Sequence, residues 1–172
     1  MTYRYFDAHT HAHFPAYDQD REAMLGRAAA AGVGIVTAGT TKETSSAAVA
    51  LAQSRDGIWA TVGVHPSHAA KAFLDVRELG NTDEAKRIAA EGEPFDYEFF
   101  KTLAANPKVV GVGECGLDFY RLEGDVEIAK EKQQSSSSHS SSSRRRLANR
   151  LLSTAVKQCP NSSRFLRGIK GF

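Results

Sequence analysis

Short apolar runs alternate along the chain with stretches of helical spacing until about residue 134. Tyr3 to Ala8 reads as a first strand. Gln19 to Ala31 predicts a helix: Met24, Ala28 and Ala31 fall on helical spacing, and Gly32 stops it. Val33 to Ala38, rich in Val, Ile and Thr, suits a second strand. Thr41 to Gln53 reads as a second helix, with Thr40 as its N-cap and Glu43 completing a capping-box spacing. Ile58 to Val64 is a third strand. Residues 66–92 have no single period and are read as one or two helices broken near Gly80. Asp96 to Ala105 is a helix closed by Asn106-Pro107, Lys108 to Val112 a fourth strand, and Asp125 to about Gln134 the start of a last helix.

That order, strand and helix in turn, predicts a parallel sheet with crossover helices, an α/β fold. The near-continuous apolar strands fit a sheet covered on both faces. The pattern alone does not separate a doubly wound sheet from part of an eight-stranded barrel. Hydrophobic residues make up 41% of the chain, enough for a packed core, which excludes a fully disordered protein.

The net charge of +2 conceals a split. Residues 1–131 hold 13 Lys/Arg against all 20 Asp/Glu, a net of −7, whereas residues 132–172 hold nine Lys/Arg and no acid, a net of +9. Eight serines surround His139 over residues 135–143, and Arg144, Arg145 and Arg146 follow. A serine tract buries too little surface to offset chain entropy. Residues 132–172 are therefore read as a separate Ser/Arg-rich tail, disordered or out of frame through a shift near Gln133. The alternative is a genuine basic tail whose arginines touch nucleic acid without reading its sequence. Two cysteines, Cys115 and Cys159, make no disulfide framework. With no signal-peptide core and no apolar run long enough to span a membrane, the expected location is cytoplasmic.

Three strands end in residues that bear chemistry. Asp7-Ala8-His9-Thr10-His11 closes the first. Residues two apart on a strand share a face, so His9 and His11 can reach one divalent ion; the bland reading is a surface histidine cluster. His13 continues the alternation, but in what reads as a loop. Thr61-Val62-Gly63-Val64-His65-Pro66 closes the third. His65 can meet a metal, a phosphate oxygen or a leaving group, though taken alone it reads more readily as a hydrogen-bonded structural histidine. The fourth runs into Gly113-Glu114-Cys115-Gly116-Leu117-Asp118. A carboxylate there needs a cation or strong hydrogen bonds, and the glycines let backbone pass close to a ligand. Glu114 can bridge two ions, and Asp118 can orient a histidine or ligand from behind. Cys115 reads as a small buried residue.

These three motifs, in this order and spacing, resemble the TatD family of metal-dependent hydrolases. The resemblance covers residues 1 to about 131. It implies a TIM-type (β/α)8 barrel, here an incomplete half-barrel of about four βα units, with the site at the C-terminal ends of the strands. It implies a phosphodiesterase, typically a deoxyribonuclease, with two divalent ions (Mg, Mn or Zn). His9 and His11 would bind one ion, Glu114 would bind or bridge both, His65 would act in the substrate pocket, and Asp118 and Asp7 would support substrate or ligands.

The family's later ligands, histidines on strands five and six and an aspartate near strand eight, have no counterpart here: His139 lies among serines, and no acid follows Glu131. Activity in this chain is therefore expected to be impaired. An open apolar sheet edge would also invite self-association. The runner-up readings are another amidohydrolase-like activity on an ester, lactone or amide, and an inactive fragment with a basic nucleic-acid-binding tail.

Overall fold

A computed structural model of the chain describes residues 3–71, 75–119 and 124–138. The expected Arg144, Arg145 and Arg146 contact and His139 lie outside the described residues. Four parallel strands stand in chain order: β1 (Tyr5–Thr10), β2 (Val33–Ala38), β3 (Ile58–Val62) and β4 (Val109–Val112). Helices α1 (Arg21–Ala30) and α2 (Lys42–Ser54) make the first two crossovers. The third carries α3 (Val76–Leu79), α4 (Asp83–Glu91) and α5 (Tyr97–Ala104), so the ambiguous stretch resolves into two helices with the break at Gly80. This is part of a TIM-type barrel, four βα units with one free edge at β1 and another at β4 among the described residues.

The core lies under α2 and α5. Ala48, Val49 and Ala52 of α2 meet Ile58, Ala60 and Val62 of β3, while Phe100 and Ala104 of α5 close over Val109. Phe100 is 1% exposed and stacks on Phe95 at 4.7 Å. β2 and β3 are largely buried, but β1 is not covered as its composition suggests. Tyr5 is 62% and Phe6 53% exposed, because among the described residues β1 has a neighbour on one side only.

Three expectations shift. The N-cap of α2 is Thr41, not Thr40, and its box partner is Thr44, not Glu43. Thr41 Oγ1 accepts from the Thr44 N–H at 3.1 Å, and the Thr44 hydroxyl oxygen accepts from the Thr41 N–H at 2.8 Å. Thr40 is engaged instead by Glu78, at 2.6 Å. β1 begins at Tyr5 and runs on to Thr10, so His9 lies within the strand. The last helix, α6, covers residues 126–138 and so enters the serine tract, past the boundary that charge suggests at 131. Burial explains this: Gln133 is 1% exposed and Ser136 8%, and Gln133 holds Asp118 by both backbone groups, at 2.9 and 2.7 Å. No described helix is long and apolar enough to cross a membrane.

Candidate metal centre

The ends of β1, β3 and β4 converge at one rim of the sheet. The end of β2 supplies backbone rather than ligands. Gly113 N–H donates to the Val62 carbonyl at 3.0 Å, Glu114 N–H to Gly39 at 3.2 Å, and His65 N–H to Thr40 at 2.8 Å. The chain thus continues sheet-like pairing beyond the strands and carries His65 and Glu114 to the mouth.

Glu114 is the hub. Its Oε1 lies 2.5 Å from His9 Nε2 and 3.4 Å from His11 Nε2, and its Oε2 lies 3.5 Å from His65 Nε2. The ligand atoms of His9, His11 and Glu114 all fall within 4.8 Å of one another. The two imidazoles meet edge to face at 5.1 Å despite a register irregularity between Asp7 and Thr10. His9 is the exposed member, at 62% of its side chain.

The geometry around His11 argues for a cation. Its Nδ1–H donates to the Ala38 carbonyl at 2.8 Å, so in the neutral ring Nε2 carries the lone pair. That lone pair faces the Glu114 carboxylate. Two acceptors pointed at each other need a proton or a metal ion between them. In the metal-free chain the proton serves: the hydrogen bond to Glu114 raises His11 above its usual value, against the opposing effect of burial. For Glu114, burial acts upward, but the hydrogen bond from His11 and the charges of His65, His11 and His9 outweigh it and hold the carboxyl below its usual value. A histidine whose non-ligating N–H is fixed by a backbone carbonyl, leaving the other nitrogen's lone pair for an ion, is how proteins orient metal ligands.

His65 is arranged differently. Its Nδ1 accepts from the Ser67 N–H at 3.2 Å and lies 2.7 Å from the Ser67 hydroxyl, which leaves the proton on Nε2. Burial lowers its pKa, partly opposed by Glu114, so the ring is a neutral donor facing the cleft. That cleft, of about 410 Å³, is lined by His11, Phe14, Thr40, His65, Ser67, Glu78, Glu114 and Asp118. Asp118 thus reaches the site. Asp7 stays exposed, its Oδ1 accepting the His9 backbone N–H at 3.3 Å.

His13 is not part of the metal cluster. It is 7% exposed, pairs through Nδ1 with Thr37 Oγ1 at 2.7 Å, and has no partner at Nε2 among the described residues. Burial lowers its pKa to about 3. The unfolded chain takes up this proton below its ordinary value of 6.5, whereas the folded chain resists until about 3. Stability linked to His13 is therefore complete above pH 6.5 and lost as pH falls toward 3, by roughly a kcal/mol per pH unit. Urea unfolding between pH 7 and 4 should show this slope, and His13→Gln should flatten it. An unchanged slope in the variant would place the acid sensitivity elsewhere.

Sequence reasoning missed Thr40, Ser67, His68 and Glu78. His68 follows His65 by three residues, a spacing that was visible. Glu78 carried no local signal, because α3 brings it to the site from a stretch of ambiguous period.

The profile of the TatD related DNase family matches residues 6–150, beyond the boundary at 131. The chain is 41% identical over 106 residues to a protein of Cronobacter turicensis named 3'-5' ssDNA/RNA exonuclease TatD, covering 61% of this chain and 33% of that one. It is 34% identical over 122 residues to the metal-dependent hydrolase YjjV of Escherichia coli K12, covering 70% of this chain and 40% of that one. The crystal structure of YjjV superposes with a TM-score of 0.60 at 30% identity, over 86% of this chain and 49% of that one. The chain thus spans about a third of the length of the first of these relatives and half of the solved one.

Proposed function

Because the chain belongs to the TatD related DNase family, we propose that it carries one half of the active centre of a metal-dependent phosphodiesterase acting on DNA or RNA ends. The observation that supports this most is the cluster of His9, His11 and Glu114 at the C-terminal mouth of parallel strands, where barrel enzymes place their chemistry.

In this reading His9, His11 and Glu114 would hold one divalent ion, Mg, Mn or Zn, and Glu114 would be shared with a second. Bound there, a divalent ion supplies Lewis acidity toward water and phosphoryl oxygens. The Ala38 carbonyl keeps the His11 ring in its ligating orientation. His65, its tautomer held by Ser67, offers Nε2–H to a phosphate oxygen of the substrate. Asp118, its backbone held by Gln133, lines the same cleft. The relative named an exonuclease suggests single-stranded 3′ ends as the substrate. Among the described residues β1 and β4 are free edges, and self-association through them is the protein contact this reading expects.

The test is cleavage of a labelled single-stranded oligonucleotide with Mn²⁺ or Mg²⁺. Slow, metal-dependent release of nucleotides is expected, and it should vanish in both His9→Ala and Glu114→Ala. Cleavage that persists undiminished in the two variants would come from another protein and would remove the proposal.

A further inference from the structure

A second carboxylate, Glu78, lines the same cleft as His11 and Glu114. Glu78 comes from α3, which packs on the 3-10 turn Pro15–Tyr17 that follows the metal-ligating loop. Its Oε1 accepts two hydrogen bonds: from Thr40 Oγ1 at 2.6 Å and from His68 Nε2 at 2.7 Å. Thr40 is 3% and His68 4% exposed, so two buried donors, one beyond β2 and one beyond β3, are committed to a single oxygen. Burial acts to raise the pKa of Glu78, but the hydrogen bonds from His68 and Thr40 prevail and hold it below the usual value. The carboxylate is ionised at neutral pH. Its other oxygen, Oε2, makes no hydrogen bond to the described residues, and the residue lines the cleft.

A fixed anion in a phosphate-binding cleft has few uses. It repels phosphate oxygens, so it does not seat them. Among the described residues the metal-ligand spacing is met by His9, His11 and Glu114, and Glu78 is not of that group. What remains is to accept a hydrogen bond from a neutral donor on the substrate. The cleft also holds the His65 Nε2–H donor, His11 and Glu114, and Phe14, stacked on His11 at 4.4 Å, adds an apolar ring. On a nucleotide, the donors nearest a phosphate are the sugar hydroxyls.

We propose that Glu78 is a specificity-determining residue, whose Oε2 accepts a hydrogen bond from the free 3′-hydroxyl of a nucleotide chain end. The inference rests on the phosphodiester reading above and adds to it how a chain end is told from an internal position. Thr40 and His68 are the positioning residues, since they act only through Glu78. An internal sugar, its 3′ oxygen esterified, has no 3′ proton to offer and would bring a second phosphate toward the anion.

The experiment is calorimetric titration of the full chain, loaded with Mn²⁺, with thymidine 5′-monophosphate and with its 3′-deoxy analogue. One hydrogen bond to a charged acceptor predicts about tenfold or more in favour of the 3′-hydroxyl. Glu78→Gln, which keeps the side chain's shape, should cut that preference to about twofold and leave affinity for the analogue and for Mn²⁺ unchanged. Equal binding of both nucleotides by the unaltered chain would overturn the role of Glu78 and leave the phosphodiester reading standing. So would a preference that survives Glu78→Gln. Binding of neither nucleotide would take down both, and the comparison on the unaltered chain decides even if the variant fails to fold.

Discussion

Replacing Glu114 with alanine is expected to weaken Mn²⁺ or Zn²⁺ binding by about a hundredfold or more, measured by competition with a chromophoric chelator. Removing a partner that merely orients a ligand typically costs 10–100-fold in metal affinity, and Glu114 is proposed as a direct ligand. It also provides the anion that faces both His9 Nε2 and His11 Nε2. Without it the two imidazoles face each other with no charge to balance a dication. Asp7→Asn is the contrasting variant. Asp7 is exposed and its carboxylate serves the His9 backbone N–H, so its effect should be a few-fold at most.

The same experiment has a pH dependence whose sign follows from the metal-free site. His11 holds its proton to a higher pH than usual because it is hydrogen-bonded to Glu114. A metal ion must displace that proton. Affinity should therefore rise with pH until His11 has lost its proton, with proton release on binding. Affinity that stays flat from pH 6 to pH 8 would mean that His11 is not a ligand. Comparable loss from Asp7→Asn and Glu114→Ala would mean that the ion sits elsewhere.

The candidate ligands His9, His11 and Glu114 were legible because they stand at or just past the ends of strands. Period two puts His9 and His11 on one face, and a carboxylate after Val109–Val112 among glycines needs a cation or strong hydrogen bonds. The helices were legible from spacing and stop signals, apart from their edges. The cap of α2 was misplaced by one residue because two threonines stand side by side, and the choice between them is made by Glu78, 38 residues away, which occupies Thr40. No local rule sees that bond. Glu78 and His68 escaped for the same reason: their hydrogen bond at 2.7 Å exists only once α3 has packed against the turn Pro15–Tyr17. The serine tract misled in the opposite direction. Composition speaks against a helix there, yet residues 135–138 are helical because Gln133 and Ser136 bury against the rest of the fold. Tertiary packing overrides propensity at such places.

A methyl group at residue 63 should damage the site without touching a single ligand. Gly63 lies just past β3, where β4's continuation crosses closest. A Cβ built there would stand 2.6 Å from the Glu114 carbonyl oxygen, 3.0 Å from the Gly113 carbonyl carbon and 3.2 Å from its oxygen. All three are backbone, so no side chain can swing aside. Nor can Gly63 retreat freely, because its N–H donates to Ser45 Oγ at 3.2 Å and its carbonyl accepts from the same hydroxyl at 3.3 Å. The strain must pass into residues 113–114 and move the Glu114 side chain off His9 and His11. Gly63→Ala is accordingly expected to cost about 1–3 kcal/mol in stability, as other overpacking changes do, and to lower Mn²⁺ affinity alongside. Gly26→Ala is the matched control. Gly26 lies in α1, a Cβ there meets nothing within 4 Å, and alanine at an exposed helix interior should raise stability by up to about 1 kcal/mol with metal binding unchanged. Thermal unfolding and Mn²⁺ titration of the two variants separate the ideas. If Gly63→Ala unfolds earlier yet binds Mn²⁺ normally, the close approach of the strand ends is a packing feature only. If both fall together, the glycine is what allows the fourth strand to deliver its carboxylate to the histidines of the first.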